Sequence, residues 1–415
     1  MTSYYDALET REPALREAQL LAALPRQVAH AQQASSAFAE ILHGVDAAAV
    51  TTREALARVP VTRKPELLER QKAGRPADPF GGFSALRRGP GMPRIFSSPG
   101  PIYEPDSAAR DYWRVGRALF AAGFRAGDLV HNAFSYHMTP GAFMMESGSH
   151  AVGCTVFPAG VGQTEQQLQA IGELRPQAYT GTPSFLRILI EKAEQAGSDI
   201  SSLRKGVTGG EALPPTLVEW FAQRGVAVYQ SYATADLGLI GYETESREGL
   251  VVDESVIVEI VRPGTGDTVA AGEVGEVVVT TLNPDYPLVR FGTGDLSALL
   301  PGGCPTGRTN MRIKGWMGRA DQTTKIRGMF VHPAQVADIV RRFPEVKKAR
   351  LVVSGEMAND VMTLKVESAG APQGLDARIA EAIREITKLR GAVELLPPGT
   401  LPNDGKVIED ARSYK

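Results

Sequence analysis

Apolar positions at helical spacing open the chain. Leu15, Leu20, Leu21 and Leu24 recur within a run from 11 to 42, near the period of an amphipathic helix. Pro25 interrupts the pattern, because a proline inside a helix has no N–H to donate, and a second helical run covers about 32 to 43. After Val59-Pro60-Val61-Thr62-Arg63 comes a short charged helix through Glu66 and Glu69. These segments predict a helical layer covering a sheet. Residues 82–105 are dense in Gly and Pro and predict mostly turn. Ser107 then caps a helix through Tyr112, Val115, Leu119 and Phe120.

From residue 128 short apolar runs alternate with helical ones. Strands are expected at 129–134, 154–158, 178–180, 206–208 and 226–229, and helices at 163–173, 184–196 and 214–223. This alternation predicts a mainly parallel sheet with helices on its faces. Ligands bind beyond the carboxyl ends of such strands, so four turns are informative: 159–162, 180–183, Thr208-Gly209-Gly210-Glu211, and Ser231-Tyr232-Ala233-Thr234-Ala235-Asp236. Residues 251–260 and 273–280 alternate as antiparallel strands about a turn at 262–267, a β-rich subdomain. After 328 a small α+β segment is expected, with helices at 333–343 and 374–390, strands near 347–354, 361–367 and 392–396, and a tail turn that presents Lys406. The fold class is therefore α/β: a large N-terminal domain, 1–320, and a small C-terminal domain, 321–415.

Composition narrows the function. A chain of 415 residues, 43% hydrophobic and 22% charged, is globular and long enough for more than one core. A net charge of −2 gives no electrostatic case for nucleic acid or an acidic membrane. The two cysteines, Cys154 and Cys304, lie far apart, which argues against a disulfide framework and suits a reducing compartment. The first 30 residues carry too many charges for a secretory signal. No stretch approaches about 18 uncharged apolar residues. A cytoplasmic protein without nucleic-acid or membrane partners is expected. The six histidines lack metal-ligand spacing, and neither a Walker lysine loop nor a GxSxG elbow occurs.

The chemistry concentrates in 288–330. Asp295, in the run Arg290-Phe291-Gly292-Thr293-Gly294-Asp295, sits in a Gly/Thr turn after an apolar segment, placed to accept hydrogen bonds from a diol such as a ribose. Gly318-Arg319-Ala320-Asp321, followed by Lys325, Arg327 and Gly328, reads as a joint between two bodies that touch an anionic ligand. On the sheet rim, Tyr232 is suited to stacking on a base and Asp236 to holding Mg²⁺ beside phosphate oxygens.

In order and spacing these segments resemble the adenylate-forming (AMP-binding) superfamily of acyl-CoA synthetases, and within it the phenylacetate-CoA ligase-like branch. The likeness runs from about 20 to 411. It rests on 128–136, Phe157-Pro158-Ala159-Gly160, Gly209-Gly210-Glu211, Arg290 to Leu296, Gly318 to Pro333, and Gly405-Lys406.

The resemblance implies a carboxylate attacking the α-phosphate of ATP, loss of pyrophosphate, and displacement of AMP by coenzyme A. The acid is expected to be small and aromatic. Lys406 matches the adenylation lysine and Asp236 stands where the family has a Mg²⁺-associated acid. Asp295 matches the ribose-binding acid, with Arg319 beside it and Lys325 on the nucleotide side. Gly209, Gly210 and Glu211 would line the adenine edge, next to Ser231, Ala233 and Thr234, with Tyr232 stacked on the ring. Asp321 would be the hinge, with Arg327 and Gly328 moving toward the thiol channel. Phe134, Tyr136, His137, Ala159 and Gly160 would line the acid pocket. A homodimer is common in the branch. No zinc is expected, since 237–248 holds no cysteine.

The phosphate loop departs from the pattern. The family's Ser-Ser-Gly-Thr-Thr-Gly-x-Pro is here Ser97-Ser98-Pro99-Gly100-Pro101, and Pro99 and Pro101 bring no N–H to the phosphates. Ala235 replaces a Thr/Ser, and Asp236 is a shortened acid. Two alternatives therefore stand beside the ligase: an adenylate-binding homologue that is non-catalytic or weakly active, and an adenylating enzyme that passes its acyl group to a carrier protein.

Overall fold

A computed structural model describes residues 3–262, 265–320, 322, 324–355, 359–368, 370, 372–402 and 407–412. The chain divides into two compact units, Met1–Met317 and Gly318–Lys415.

The first unit is built on a nine-stranded sheet. Its parallel half runs Thr155–Phe157, Leu129–Asn132, Ala178–Gly181, Lys205–Thr208 and Ala227–Thr234. The helices Thr164–Leu174, Pro183–Ala196 and Pro215–Ala222 connect these strands. The strand Ala227–Thr234 then turns back and pairs antiparallel with Gly238–Glu243. Ser231 to Thr234, expected in a loop, are thus strand residues, because the antiparallel partner extends their ladder past the end of the parallel sheet.

A second sheet orders Thr62–Arg63, Phe291–Ser297, Gly275–Thr281 and Val256–Val261. Asp295 accordingly lies in a strand and not in a turn, beside a register shift between Glu276 and Val278. Helix Pro13–Ala34 covers this region, burying Leu20, Leu24, Val28 and Ala31 in the same core as Val258, Val277 and Phe291. The helix continues through Pro25. Burial of its apolar face outweighs the roughly 3 kcal/mol that an interior proline costs. The break comes instead at Ser35, whose Oγ accepts from Phe38 N of the next helix at 3.2 Å.

Two further expectations change. Within 82–105, Ile95–Ser98 and Ile102–Pro105 pair as an antiparallel hairpin around 99–101. The helix expected from Ser107 starts only at Gly116. Asp111 and Arg114 take left-handed φ values of 48° and 63°, which no helix accommodates, and the Asp111 carboxylate accepts from Gly116 N at 2.9 Å.

The second unit packs Pro333–Arg341 and Leu375–Thr387 on a four-stranded sheet ordered Ala392–Leu396, Val361–Ser368, Val346–Ser354 and Ile408–Asp410. A separate hairpin joins Thr324–Ile326 to Met329–Val331. Among the described residues no helix is long and apolar enough to cross a membrane.

Candidate active site

The rim of the parallel sheet gathers several of the expected residues. Gly209 lies against Ser231, since a Cβ there would come 3.2 Å from Ser231 Oγ. Gly210 takes φ 75°, a left-handed value that favours glycine. Glu211 Oε2 accepts a long bond from Ser184 N at 3.4 Å, so the Gly-Gly-Glu loop bridges two strand ends.

Beside this loop stands Asp295. Tyr232 Oη donates to its Oδ2 at 2.9 Å and Trp316 Nε1 donates to its Oδ1 at 3.1 Å. The strand itself is anchored by Arg290, a buried guanidinium that holds both oxygens of Glu259 at 3.0 Å and the carbonyls of Val59 and Gly266. The first residue of the run is therefore structural, and it fixes the register that carries Asp295.

The hairpin 95–105 is held from behind by helix Lys64–Gly74. Gln71 pairs with both backbone groups of Tyr103, at 2.7 and 2.8 Å. Arg75 donates to Pro101 O at 2.8 Å and lies over the Tyr103 ring. Ser97 N donates to Met138 O at 2.8 Å, and Ser98 Oγ donates to Glu104 Oε1 at 2.8 Å. At Gly100 a Cβ would meet Ile102 Cγ1 at 3.0 Å, so the turn is closely packed.

Lys64, at the start of that helix, reaches Asp236. Its Nζ stands 2.8 Å from Asp236 Oδ2, with the lysine side chain 31% exposed and the aspartate 0%. Burial alone would push the Lys64 ammonium down, but the carboxylates of Asp236 and Glu104 outweigh it and its pKa is raised. Glu104 is buried too, and burial, then the charge of Asp236, hold its pKa well above the usual carboxylate range. Asp236 Oδ1 and Glu104 Oε2 find no hydrogen-bond donor among the described residues. A proton kept by Glu104 and donated to Asp236 satisfies both. Two adjoining carboxylates with unfilled oxygens also suit a hard divalent cation.

An aromatic cluster adjoins the ends of strands Leu129–Asn132 and Thr155–Phe157. Phe143 meets Tyr136 edge-on at 5.1 Å and Phe96 at 5.1 Å. Gly160 N donates to Asn132 O at 3.0 Å, and a Cβ on Gly160 would find only Tyr136 Cδ2, at 4.0 Å. Phe134 packs near Gly141, and Ala159 N donates to Phe157 O at 3.0 Å. His137 is exposed. Asn132 Nδ2 donates to Tyr136 Oη at 2.8 Å, and Tyr136 Oη donates to Glu146 Oε2 at 2.7 Å.

In the second unit, Arg327 N donates to Asp360 Oδ2 at 2.9 Å and its guanidinium to Asp360 O at 2.8 Å. Gly328, at φ 83°, turns the hairpin with open space around it. Lys325 Nζ lies 5.9 Å from the Phe330 ring centroid, and Arg319 is half-buried. Asp321 and Lys406 lie outside the described residues. A surface cavity of about 580 Å³, lined by residues including Gln33, Ser36, Arg87 and Arg88, touches none of the residues above.

Sequence reasoning missed Lys64, Glu104, Asn132, Glu146 and Trp316. Lys64 and Glu104 carry no local mark of Asp236, a partner far along the chain, and Asn132 and Glu146 meet through Tyr136 only once the turn between strand and helix is folded. Only Trp316, a large aromatic in a Gly-flanked stretch of the run already singled out, offered a signal.

Comparison with known proteins agrees in extent with this architecture. Residues 108–283 match the AMP-binding enzyme family and residues 328–411 the AMP-binding enzyme C-terminal domain. The chain is 31% identical to a phenylacetate-coenzyme A ligase of Thermus thermophilus, over 91% of this chain and 92% of that protein. It is 30% identical to a phenylacetate-coenzyme A ligase of Pseudomonas putida, over 86% and 84% respectively. The fold is shared with a 2-hydroxyisobutyryl-CoA ligase solved with 2-HIB-AMP and CoA in its thioesterification state, with a TM-score of 0.84, 23% identity, and coverage of 100% of this chain and 93% of that one.

Proposed function

The chain belongs to the AMP-binding enzyme family, in its phenylacetate-coenzyme A ligase branch, and we propose that it joins a small aromatic carboxylic acid to coenzyme A through an acyl-adenylate made from ATP. The observation that carries this reading for the chain's own residues is the Asp295 carboxylate, held between Tyr232 and Trp316 beside the Gly209–Ser231 contact. A carboxylate held in a fixed orientation is an acceptor for the two hydroxyls of a ribose. The loop 209–211 and Tyr232 would then face the base.

Adenylation concentrates negative charge on the α-phosphate as the acid attacks, so cations aimed there lower the barrier. We assign that task to Lys406, and the joint between the domains to Asp321. Lys64 adds an ammonium on the phosphate side, where the Pro99–Pro101 turn lacks N–H donors. Asp236 and Glu104 fit a Mg²⁺ whose remaining ligands are phosphate oxygens and water; when bound, the ion neutralises phosphate charge. Lys64 and Mg²⁺ would then share the task of balancing Asp236. Arg319 and Lys325 would stand on the nucleotide side, and Arg327 and Gly328 on the thiol side. The acid would enter the slot of Tyr136, Phe143 and Gly160. The cytoplasm, which supplies both ATP and coenzyme A, is the compartment this chemistry needs.

Pyrophosphate release with aryl acids, followed by thioester formation with coenzyme A, tests the reading. Lys406→Ala is expected to slow pyrophosphate release by about 100-fold or more. Release that no acid stimulates, with adenylate still bound, would favour the non-catalytic reading, which the proline-bearing turn supports. Adenylation that coenzyme A does not drain would favour a carrier-protein acceptor.

A further inference from the structure

Helix Gly141–Val152 brings a carboxylate to the aromatic cluster assigned above as the acid slot. Glu146 follows Phe143 by three residues, so both occupy one face of the helix, and both are half-buried. The hydrogen bonds behind it run in one direction. Asn132 Oδ1 accepts from Thr180 Oγ1 at 3.0 Å and Asn132 Nδ2 donates to Ala142 O at 2.9 Å, which fixes the amide orientation. The other Nδ2 hydrogen goes to Tyr136 Oη at 2.8 Å. Since that hydroxyl already accepts, its own proton goes to Glu146 Oε2, at 2.7 Å. The chain of donors therefore ends on an acceptor.

Nothing among the described residues answers the rest of that acceptor. Glu146 pairs with no lysine, arginine or histidine there, and its Oε1 takes no hydrogen bond. Arg94, the cation lying over Phe143, is committed to Asp106 at 2.9 Å. Burial, with the Glu146 hydrogen bond as the next cause, pushes the Tyr136 hydroxyl up, so the tyrosine stays a neutral donor to the carboxylate. A partly buried carboxylate with one oxygen unfilled makes a bare aromatic ring a poor occupant, because the ring covers the acceptor and returns no hydrogen bond.

We propose that Glu146 selects aryl acids carrying a hydrogen-bond donor on the ring, a hydroxyl or an amine, over the unsubstituted ring. This rests on the ligase reading above and on the slot being its acid pocket. A hydroxyl and an ammonium satisfy the same oxygen, and a charge distinguishes them. Glu146→Gln keeps an acceptor without the charge.

The measurement is kcat/KM for pyrophosphate release with phenylacetate, its 3- and 4-hydroxy derivatives, and 4-(aminomethyl)phenylacetate. In the wild type, a donor-bearing acid is expected to exceed phenylacetate by about 10- to 100-fold, the worth of one hydrogen bond to a charged group. Glu146→Leu is expected to bring that ratio close to one. Ratios taken on a single preparation cancel any loss of folded protein. In Glu146→Gln a surviving hydroxyl preference identifies a phenol, and a preference lost only for the aminomethyl acid identifies an ammonium. A wild type that favours phenylacetate, or a ratio unmoved by Glu146→Leu, overturns the assignment and leaves the ligase reading standing. Pyrophosphate release that none of the acids stimulates overturns both.

Discussion

The two sides of the proposed nucleotide site solve the problem of a buried charge differently. On the ribose side, the Asp295 carboxylate is oriented by the Tyr232 hydroxyl and the Trp316 indole. On the phosphate side, Asp236 is met by another charge, Lys64, and by Glu104, a second acid. Donors that hold a carboxylate by its geometry preset its orientation before the ligand arrives. A charged cluster is balanced before the ligand arrives, and it must redistribute when phosphates bring charge of their own. In the proposed function the first side would act as a template, and the second as a counterion store beside a turn depleted of N–H donors.

The sharpest way to break this contrast is to remove the cation. Lys64→Met is expected to lower kcat/KM for ATP by about 100-fold. It would also destabilise the unit by about 2 kcal/mol, less than for a fully buried pair because the lysine is 31% exposed. Steady-state kinetics at varied Mg²⁺, with denaturant melts, read both effects. If extra Mg²⁺ restores the rate, the ion and the ammonium share the task; an unchanged rate would make the cluster purely structural.

A smaller loss is expected on the other side. Asp295→Asn should raise KM for ATP by about 10-fold with kcat little changed, since the ribose hydroxyls are bound equally before and during the reaction. A fall confined to kcat would contradict a template.

The mildest test is pH. A carboxyl whose folded pKa stands above the ordinary 4.5 supports the fold fully below that value, and the contribution is lost as pH rises through the folded pKa. Wild type should therefore lose Tm relative to Glu104→Gln as the pH is raised above about 5, by roughly 2–4 °C. Equal slopes would show that Glu104 is not protonated in the native protein.

Legibility from sequence followed the range of the forces involved. The parallel strands and their helices were readable because each is signalled within its own residues: apolar runs such as Val130 and Val207, and turns such as Gly209-Gly210. Places where a distant partner overrides local preference were not. Pro25 stays helical because the face through Leu24 and Val28 is buried. Tyr232 belongs to a strand because Gly241 pairs with it. Asp295 leaves its expected turn because Gly275–Thr281 captures the segment as a strand.

By itself the sequence determined the kind of protein: the α/β alternation, the order of motifs, and the acids and glycines at strand ends. These depend on periodicity and on backbone freedom, which are local. The tertiary structure alone decided which charges meet. Lys64 on Asp236, Glu104 beside them and Arg290 on Glu259 join residues far apart in the chain. Electrostatic and hydrogen-bond energies depend on distance in space and on exclusion of water, and neither is written in the order of residues.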